Sequence, residues 1–255
     1  MVKPSNMQAL LNVSLSCLPT PIPEGPDGFP NEFRLAEDGD LVVMYAPFDW
    51  LNSDARVVIC GITPGWQQAR IACEVAAEAI SAGGDDEEAS RLAKLKASFA
   101  GSMRTNLVTM LNEIGLAHAL EIESCDELFD SERHLVHTTS ALRYPVYVDW
   151  KNYTGHTPSP VKHPVLLQML RDIFAPELNQ LSKALVIPLG KAVCRCIEHL
   201  EEQSLIDSTF WLKGFPHPSG ANGHRKQQFE QAKNSLAQQT LDWSQRCRSW
   251  APQGL

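Results

Sequence analysis

The sequence predicts an α/β protein, three layers in the order α/β/α around a central, mainly parallel sheet. Three observations carry this expectation. The short runs ARVVIC at 55–60 and ALVIPLG at 184–190 are almost wholly apolar, as strands covered on both faces are. Each run closes in a glycine-bearing loop, and a helical pattern follows, Gln67 to Ile80 after the first and Ala192 to Leu200 after the second. The order strand, loop, helix recurs at least three times, which favours parallel strands with helices on both faces. Ligands of such sheets bind in the loops beyond the carboxyl ends of the strands.

The remaining elements follow in chain order. Residues 1–40 are rich in Pro, Gly and acids and read as an irregular N-terminal arm. Residues 41–240 read as one α/β body, and 241–255 as a C-terminal tail. Asp85 to Ala93 is mostly polar and reads as surface. Asn106, Met110 and Ile114 share one helical face, and Gly115 supplies the stop. HLVHTTSAL at 134–142 starts as a strand, residues 145–163 read as a long loop, and Pro164 to Phe174 as a helix. Pro188 belongs at the end of its strand, since it cannot donate to a ladder. The last helix is expected over Arg225 to Leu236.

Charge and cysteine content narrow the function. A net charge of -8 over 255 residues argues against a uniformly basic nucleic-acid coat. The charge is uneven, however. Residues 1–60 hold three Lys/Arg against eight Asp/Glu, and residues 211–255 hold six against two. A local positive face on an acidic protein is one reading, and chance scatter is the other. The seven Cys contain no CxxC pair, so neither a zinc nor an iron–sulfur site is expected, and no cofactor. No apolar stretch is long enough to span a membrane and no export signal is evident, so a cytoplasmic location without membrane partners is expected.

Two loops carry the candidate chemistry. In Gly61-Ile62-Thr63-Pro64-Gly65 the glycines allow close backbone approach and Pro64 stiffens the turn. Backbone N–H groups at the start of the next helix suit an anion or a carbonyl oxygen. A plain strand-to-helix turn would look the same. In His217-Pro218-Ser219-Gly220-Ala221-Asn222, His217 stands between Pro216 and Pro218, which restrict its backbone. Its ring suits donation to charge developing on a leaving base. Ser219 and Asn222 either serve a ligand or cap the next helix, and Arg225 stands beside that helix start where phosphate could meet it. Trp66, Gln67 and Gln68 follow the first loop. Gln67 is a candidate polar contact or an ordinary surface residue. The run Arg143, Tyr144, Tyr147, Trp150, Lys151 and Tyr153 either stacks on single-stranded nucleic acid or simply covers the core.

The order of these segments resembles the uracil-DNA glycosylase superfamily, especially its bacterial and archaeal branch that carries an iron–sulfur cluster. Gly61–Gly65 looks like that branch's Gly-x-x-Pro-Gly loop. Phe99-Ala100-Gly101 and Ile114-Gly115-Leu116 look like its Phe-x-Gly and Ile-Gly-Leu segments. Thr139 through Pro145, Leu189-Gly190 and His217-Pro218-Ser219 follow in the same order, so the likeness covers roughly 57–236. The resemblance implies a uracil-DNA glycosylase-like fold and a hydrolase of DNA repair that frees a damaged or modified base from single- or double-stranded DNA. It implies that Phe99 stacks on a base flipped from the helix, and that His217 faces the base carbonyl. The backbone of Gly61, Ile62, Pro64 and Gly65 would line sugar and base, and Pro218 and Ser219 would press on the DNA backbone.

The chain departs from the pattern in three places. Ile62 and Thr63 stand where the family places an Asp, Asn or Glu, and a threonine is a poor general base. As the candidate beside His217 in catalysis, Thr63 could at most position a water. Thr139, with Ser140 next, stands where an Asn often reads the base edge. Cys17 stands alone where cluster cysteines are expected. A noncatalytic nucleic-acid or nucleoside binder of the same fold, and a small-molecule or partner-binding protein, therefore stay open beside the glycosylase.

Overall fold

A computed structural model describes residues 14–98, 102–206 and 210–250. They form two compact units. The first is drawn from residues up to Leu51, from Ile62–Ser98 and from Thr139–Phe174; the second from Asn52–Gly61, from residues up to Thr138 after position 98, and from Ala175 onward. The architecture is α/β, with helices flanking two four-stranded sheets rather than one central sheet.

The first sheet is antiparallel. Its strands are β1 (Arg34–Asp38), β2 (Leu41–Met44), β5 (Val146–Val148) and β6 (Lys151–Asn152), in the order β1-β2-β5-β6. β1 and β2 form a hairpin with Asp38 opposite Leu41, and Gly39 takes φ +59° at the turn, where a side chain is disfavoured. β1 lies inside the segment read as an irregular arm, and β5 and β6 lie inside the segment read as a loop. All three are too short for alternation to show in the sequence. The arm also carries three 3₁₀ turns, Leu15–Cys17, Pro26–Gly28 and Asn31–Phe33.

Two helices accompany this sheet, α1 (Trp66–Ser81) and α2 (Asp86–Ala97). α2 starts where Asp85 accepts the Glu88 N–H at 2.8 Å, an acidic N-cap with Asp86, Glu87 and Glu88 behind it. The stretch read as surface is therefore a helix with a buried face of Ala89, Ala93 and Ala97. Lys94 is buried on that face and donates to the carbonyls of Phe48 at 3.1 Å and Trp50 at 2.8 Å, so its charge is met by loop carbonyls. The short helix α5 (Pro164–Met169) runs on as a π-helical stretch, Leu170–Phe174.

The second sheet has the order β4-β3-β7-β8, with β3 (Val57–Gly61), β4 (Val136–Ser140), β7 (Leu185–Pro188) and β8 (Phe210–Trp211). β3 runs parallel to β7 and β7 parallel to β8, with Val57 beside Leu185 and Cys60 beside Pro188. Pro188 is the last residue of its strand, as its missing donor requires. Val57, Val58, Ile59 and Cys60 are all fully buried, the mark of a strand covered on both faces.

Helices α3 (Ser102–Glu113), α4 (Leu116–Leu120), α6 (Ala175–Gln180), α7 (Lys191–Glu202) and α8 (Arg225–Trp250) belong to this unit. Gly115, at φ +79°, ends α3 as expected. Leu107 and Leu111 of α3 pack with Val57, Ile59, Leu185 and Ile187 of the sheet and with Phe229, Leu236 and Trp243 of α8. Those three α8 residues are seven apart, so one narrow stripe of a polar helix enters the core. α8 passes well beyond the end expected at Leu236, into the segment read as a tail. Trp243 holds that extension in place: its ring is 1% exposed and its indole N–H donates to the Lys183 carbonyl at 3.1 Å.

Beneath this core, His137 and Glu177 form a buried pair. The His137 Nε2 lies 2.7 Å from Glu177 Oε1, and the two side chains are 0% and 1% exposed. The Asn52 N–H donates to His137 Nδ1 at 3.3 Å, so the proton resides on Nε2 and points at the carboxyl.

Candidate functional site

The carboxyl end of the second sheet is where the candidate chemistry gathers. The Leu189 N–H donates to the Cys60 carbonyl at 2.8 Å, and the Gly190 N–H to the Phe215 carbonyl at 3.3 Å. These bonds tie the ends of β3 and β7 to the segment that enters the His217 loop. Gly190 takes φ +92° and ψ 172°, a conformation that only glycine adopts without strain. A Cβ there would stand 3.0 Å from His217 Cβ. Glycine at 190 is thus what lets the His217 ring settle against the end of β7. Gly190→Ala should cost about 1–3 kcal/mol through backbone strain alone. Urea denaturation should show it as a lower midpoint at constant slope.

The loop itself is braced from within. The Ser219 N–H donates to His217 Nδ1 at 3.1 Å, and the Asn222 amide donates to the His217 carbonyl at 3.2 Å. The Ser219 hydroxyl accepts the Ala221 N–H at 3.1 Å. Arg225 donates to the carbonyls of Pro218 and Ser219, at 3.4 and 2.8 Å, and the Asn106 amide reaches the Pro218 carbonyl at 3.0 Å. Ser219, Asn222 and Arg225 therefore hold the loop's shape. Asn106 of α3 does the same from another element; sequence reading placed it on a helix face and assigned it no role at the site.

These bonds decide the state of the histidine. Nδ1 accepts, so a neutral His217 carries its proton on Nε2 and presents a donor there. Burial pushes the ring's pKa below the ordinary histidine value, which favours the neutral form. Protonating Nδ1 would also break the bond from Ser219. The ring is only half-buried, open enough for a ligand to reach.

Gly61 closes β3, while Ile62, Thr63, Pro64 and Gly65 belong to the first unit. There the Thr63 hydroxyl donates to the Tyr144 carbonyl at 3.0 Å and accepts the Val146 N–H at 3.1 Å. It acts as a clasp on the start of β5. Thr63→Val should leave that carbonyl and N–H unpaired and cost about 1–3 kcal/mol. Thr63→Ser, which keeps the hydroxyl, should restore most of it in the same denaturation measurement.

The start of α1 is capped by side chains. The Gly65 N–H donates to Gln68 Oε1 at 3.3 Å and the Trp66 N–H to Asn152 Oδ1 at 2.8 Å. Two of the N–H groups at this helix start, those of Gly65 and Trp66, are thus already engaged, and Asn152 is a partner the sequence did not single out. Gln67 is exposed. Thr139 is buried, and its hydroxyl has no hydrogen-bond partner among the described residues; Ser140 follows it, half-buried, at the end of β4. Phe99 lies outside the described residues. In the aromatic run, Tyr144, Tyr147 and Tyr153 are buried, so these rings cover the core rather than offer a stacking surface.

The first unit has a cleft of its own, about 440 Å³, lined by Leu15, Tyr45, Asp49, Trp50, Asp86 and Ser90 among others. Asp49 accepts from the hydroxyls of Tyr45 at 3.0 Å and Tyr144 at 2.5 Å. Burial, then the Asp49 charge, push both phenols far above their ordinary range, so they remain donors. Among the described residues, no group of three or more His, Cys, Asp or Glu is arranged to hold a metal ion. Nor is any helix long and apolar enough to cross a membrane.

No family model matches the sequence. The chain is 45% identical over 209 residues to the uncharacterized protein YoxB of Bacillus subtilis (strain 168), a match that spans 81% of this chain and 82% of that protein. An identity this high over most of both chains fixes kinship, and the chain belongs to the YoxB family.

Proposed function

We propose that the protein hydrolyses the N-glycosidic bond of a damaged or modified base in DNA, with His217 as the donor to the departing base. One observation carries this reading. The Ser219 N–H occupies His217 Nδ1, which leaves Nε2–H as the donor of the neutral, half-buried ring on a braced loop at the carboxyl end of a parallel sheet. As the bond between the base nitrogen and sugar C1′ breaks, the electron pair leaves with the base. A fixed donor stabilises that charge without first having to reorganise. Water then adds to C1′ and gives up its proton to solvent.

A second reading, a noncatalytic binder of nucleic acid or nucleosides with a uracil-DNA glycosylase-like fold, is favoured by Thr63. Its hydroxyl is engaged with Tyr144 and Val146 and is a poor candidate for orienting water. The two readings part in one assay. Abasic-site formation is measured on single- and double-stranded oligonucleotides carrying uracil, hypoxanthine or xanthine. Slow release that depends on His217 supports the hydrolase. Binding without abasic sites supports the binder.

A further inference from the structure

The cleft of the first unit plays no part in the reaction above, and its walls are chemically one-sided. Its volume of about 440 Å³ lies within the range of small-molecule sites. The loop after β2 supplies Tyr45, Asp49 and Trp50 to it, and α2 supplies Asp86, Glu87 and Ser90. The two walls are stapled together. The Trp50 N–H donates to the Ser90 hydroxyl at 3.2 Å, and Lys94 of α2 donates to the Trp50 carbonyl at 2.8 Å. Trp50 is half-buried, so an indole on a fixed backbone forms part of a wall that solvent still reaches. Such a wall needs little ordering when a ligand arrives.

Three carboxylates line the cleft, and no Lys or Arg is among its lining residues. Asp49 shares its charge: the hydroxyls of Tyr45 and Tyr144 donate to it, and Arg143 lies 3.8 Å from one of its oxygens. Asp86 and Glu87 differ, being exposed and forming no ion pair among the described residues. The dipole of α2 favours acids in its first turn. Asp85 already caps that turn, however, and Glu88 already pairs with Arg91 at 2.8 Å. Asp86 and Glu87 are therefore charge beyond what the helix start needs, and both are turned to the cleft. The carboxylates do not close on a point, since no three such groups among the described residues are arranged to hold a metal ion. Carboxylates set apart, with an indole and the side chains of Leu15 and Leu51 beside them, suit an extended cation with an apolar stem.

We propose that this cleft binds a linear aliphatic polyamine, a small molecule whose ammonium groups are separated by methylene stems. One ammonium group meets Asp49 on the loop and another meets Asp86 and Glu87 on the helix. The stem lies along Trp50 and the leucines, where its methylenes leave water and its charge faces the indole. The attraction is between charges near solvent, so binding weakens as salt rises. The site is distinct from the His217 loop and does not depend on base release.

The test is titration calorimetry of the full chain with spermidine, at low and at physiological salt. Spermidine should bind, and less tightly at the higher salt. The double variant Asp86→Asn, Glu87→Gln should weaken binding about tenfold, the sum of two solvent-exposed ion pairs. Trp50→Leu should weaken it about threefold through the lost cation–π contact. Glu230→Gln, which removes an exposed acid of α8 in the second unit, should change nothing. n-Butylammonium, with one charge, should bind more weakly than spermidine. Tetralysine carries the same ammonium groups on a peptide and should also bind more weakly. Absence of spermidine binding, affinity unchanged in both cleft variants, or an equal loss in Glu230→Gln overturns the proposal. So does tetralysine binding at least as tightly as spermidine, which would assign the cleft to a basic peptide. Circular dichroism of each variant guards against a loss that is only unfolding, and Trp50→Leu leaves the first turn of α2 untouched. Absence of base release in the oligonucleotide assay counts against the hydrolase and leaves this site standing.

Discussion

On the hydrolase reading proposed above, replacing His217 with alanine should lower base release by about 10²–10³-fold, the usual effect of losing one oriented donor to a developing anion. The fold should survive, because the loop has other braces. Asn106 and Arg225 hold the Pro218 carbonyl, Arg225 holds that of Ser219, and Asn222 holds the backbone carbonyl of residue 217, which an alanine retains. Oligonucleotide affinity should also persist if phosphate contacts supply most of it. Release unchanged in the alanine variant would show that His217 is not the donor. The pH dependence of stability follows from the lowered ring pKa. Below the ordinary histidine range the unfolded chain takes up a proton before the folded one does. Stability from this group is therefore complete above that range and is lost as pH falls through the lowered folded value.

The largest stability loss is expected at the buried pair. His137→Ala should destabilise the protein by about 3–5 kcal/mol, the range for breaking a buried pair by removing one partner. The ring is wholly enclosed, so its removal also leaves a cavity, and the Asn52 N–H loses its acceptor at Nδ1. Chemical denaturation measures the loss, and a cycle with Glu177→Gln isolates the coupling between the two groups. A coupling under about 1 kcal/mol in that cycle would mean that the pair adds little beyond filling space.

Some of this was legible in the residues themselves. ARVVIC and ALVIPLG had to be buried strands because so many successive apolar side chains need cover on both faces, and Pro188 had to end its strand for want of a donor. Gly115 ends α3 as a local rule requires. The prolines around His217 marked a stiff loop, and the Ser219 and Asn222 bonds that set the ring's state lie within five residues of it. Such interactions are written in neighbouring positions.

What only the tertiary structure decided depends on residues far apart in the chain. The first sheet pairs β2 with β5 across about a hundred residues, and neither strand is long enough for a pattern to declare itself. α8 outruns its expected end because Trp243, seven residues beyond Leu236, finds the same core. Thr63 reads as a possible water ligand until Tyr144 and Val146, more than eighty residues on, take its hydroxyl. Asn152 closes the start of α1 across a similar separation, and Gly190 earns its conformation only once His217 packs against it. A side chain's chemistry is set by its type, but whether that chemistry is free for a ligand is set by which distant backbone groups the fold brings within a hydrogen bond of it.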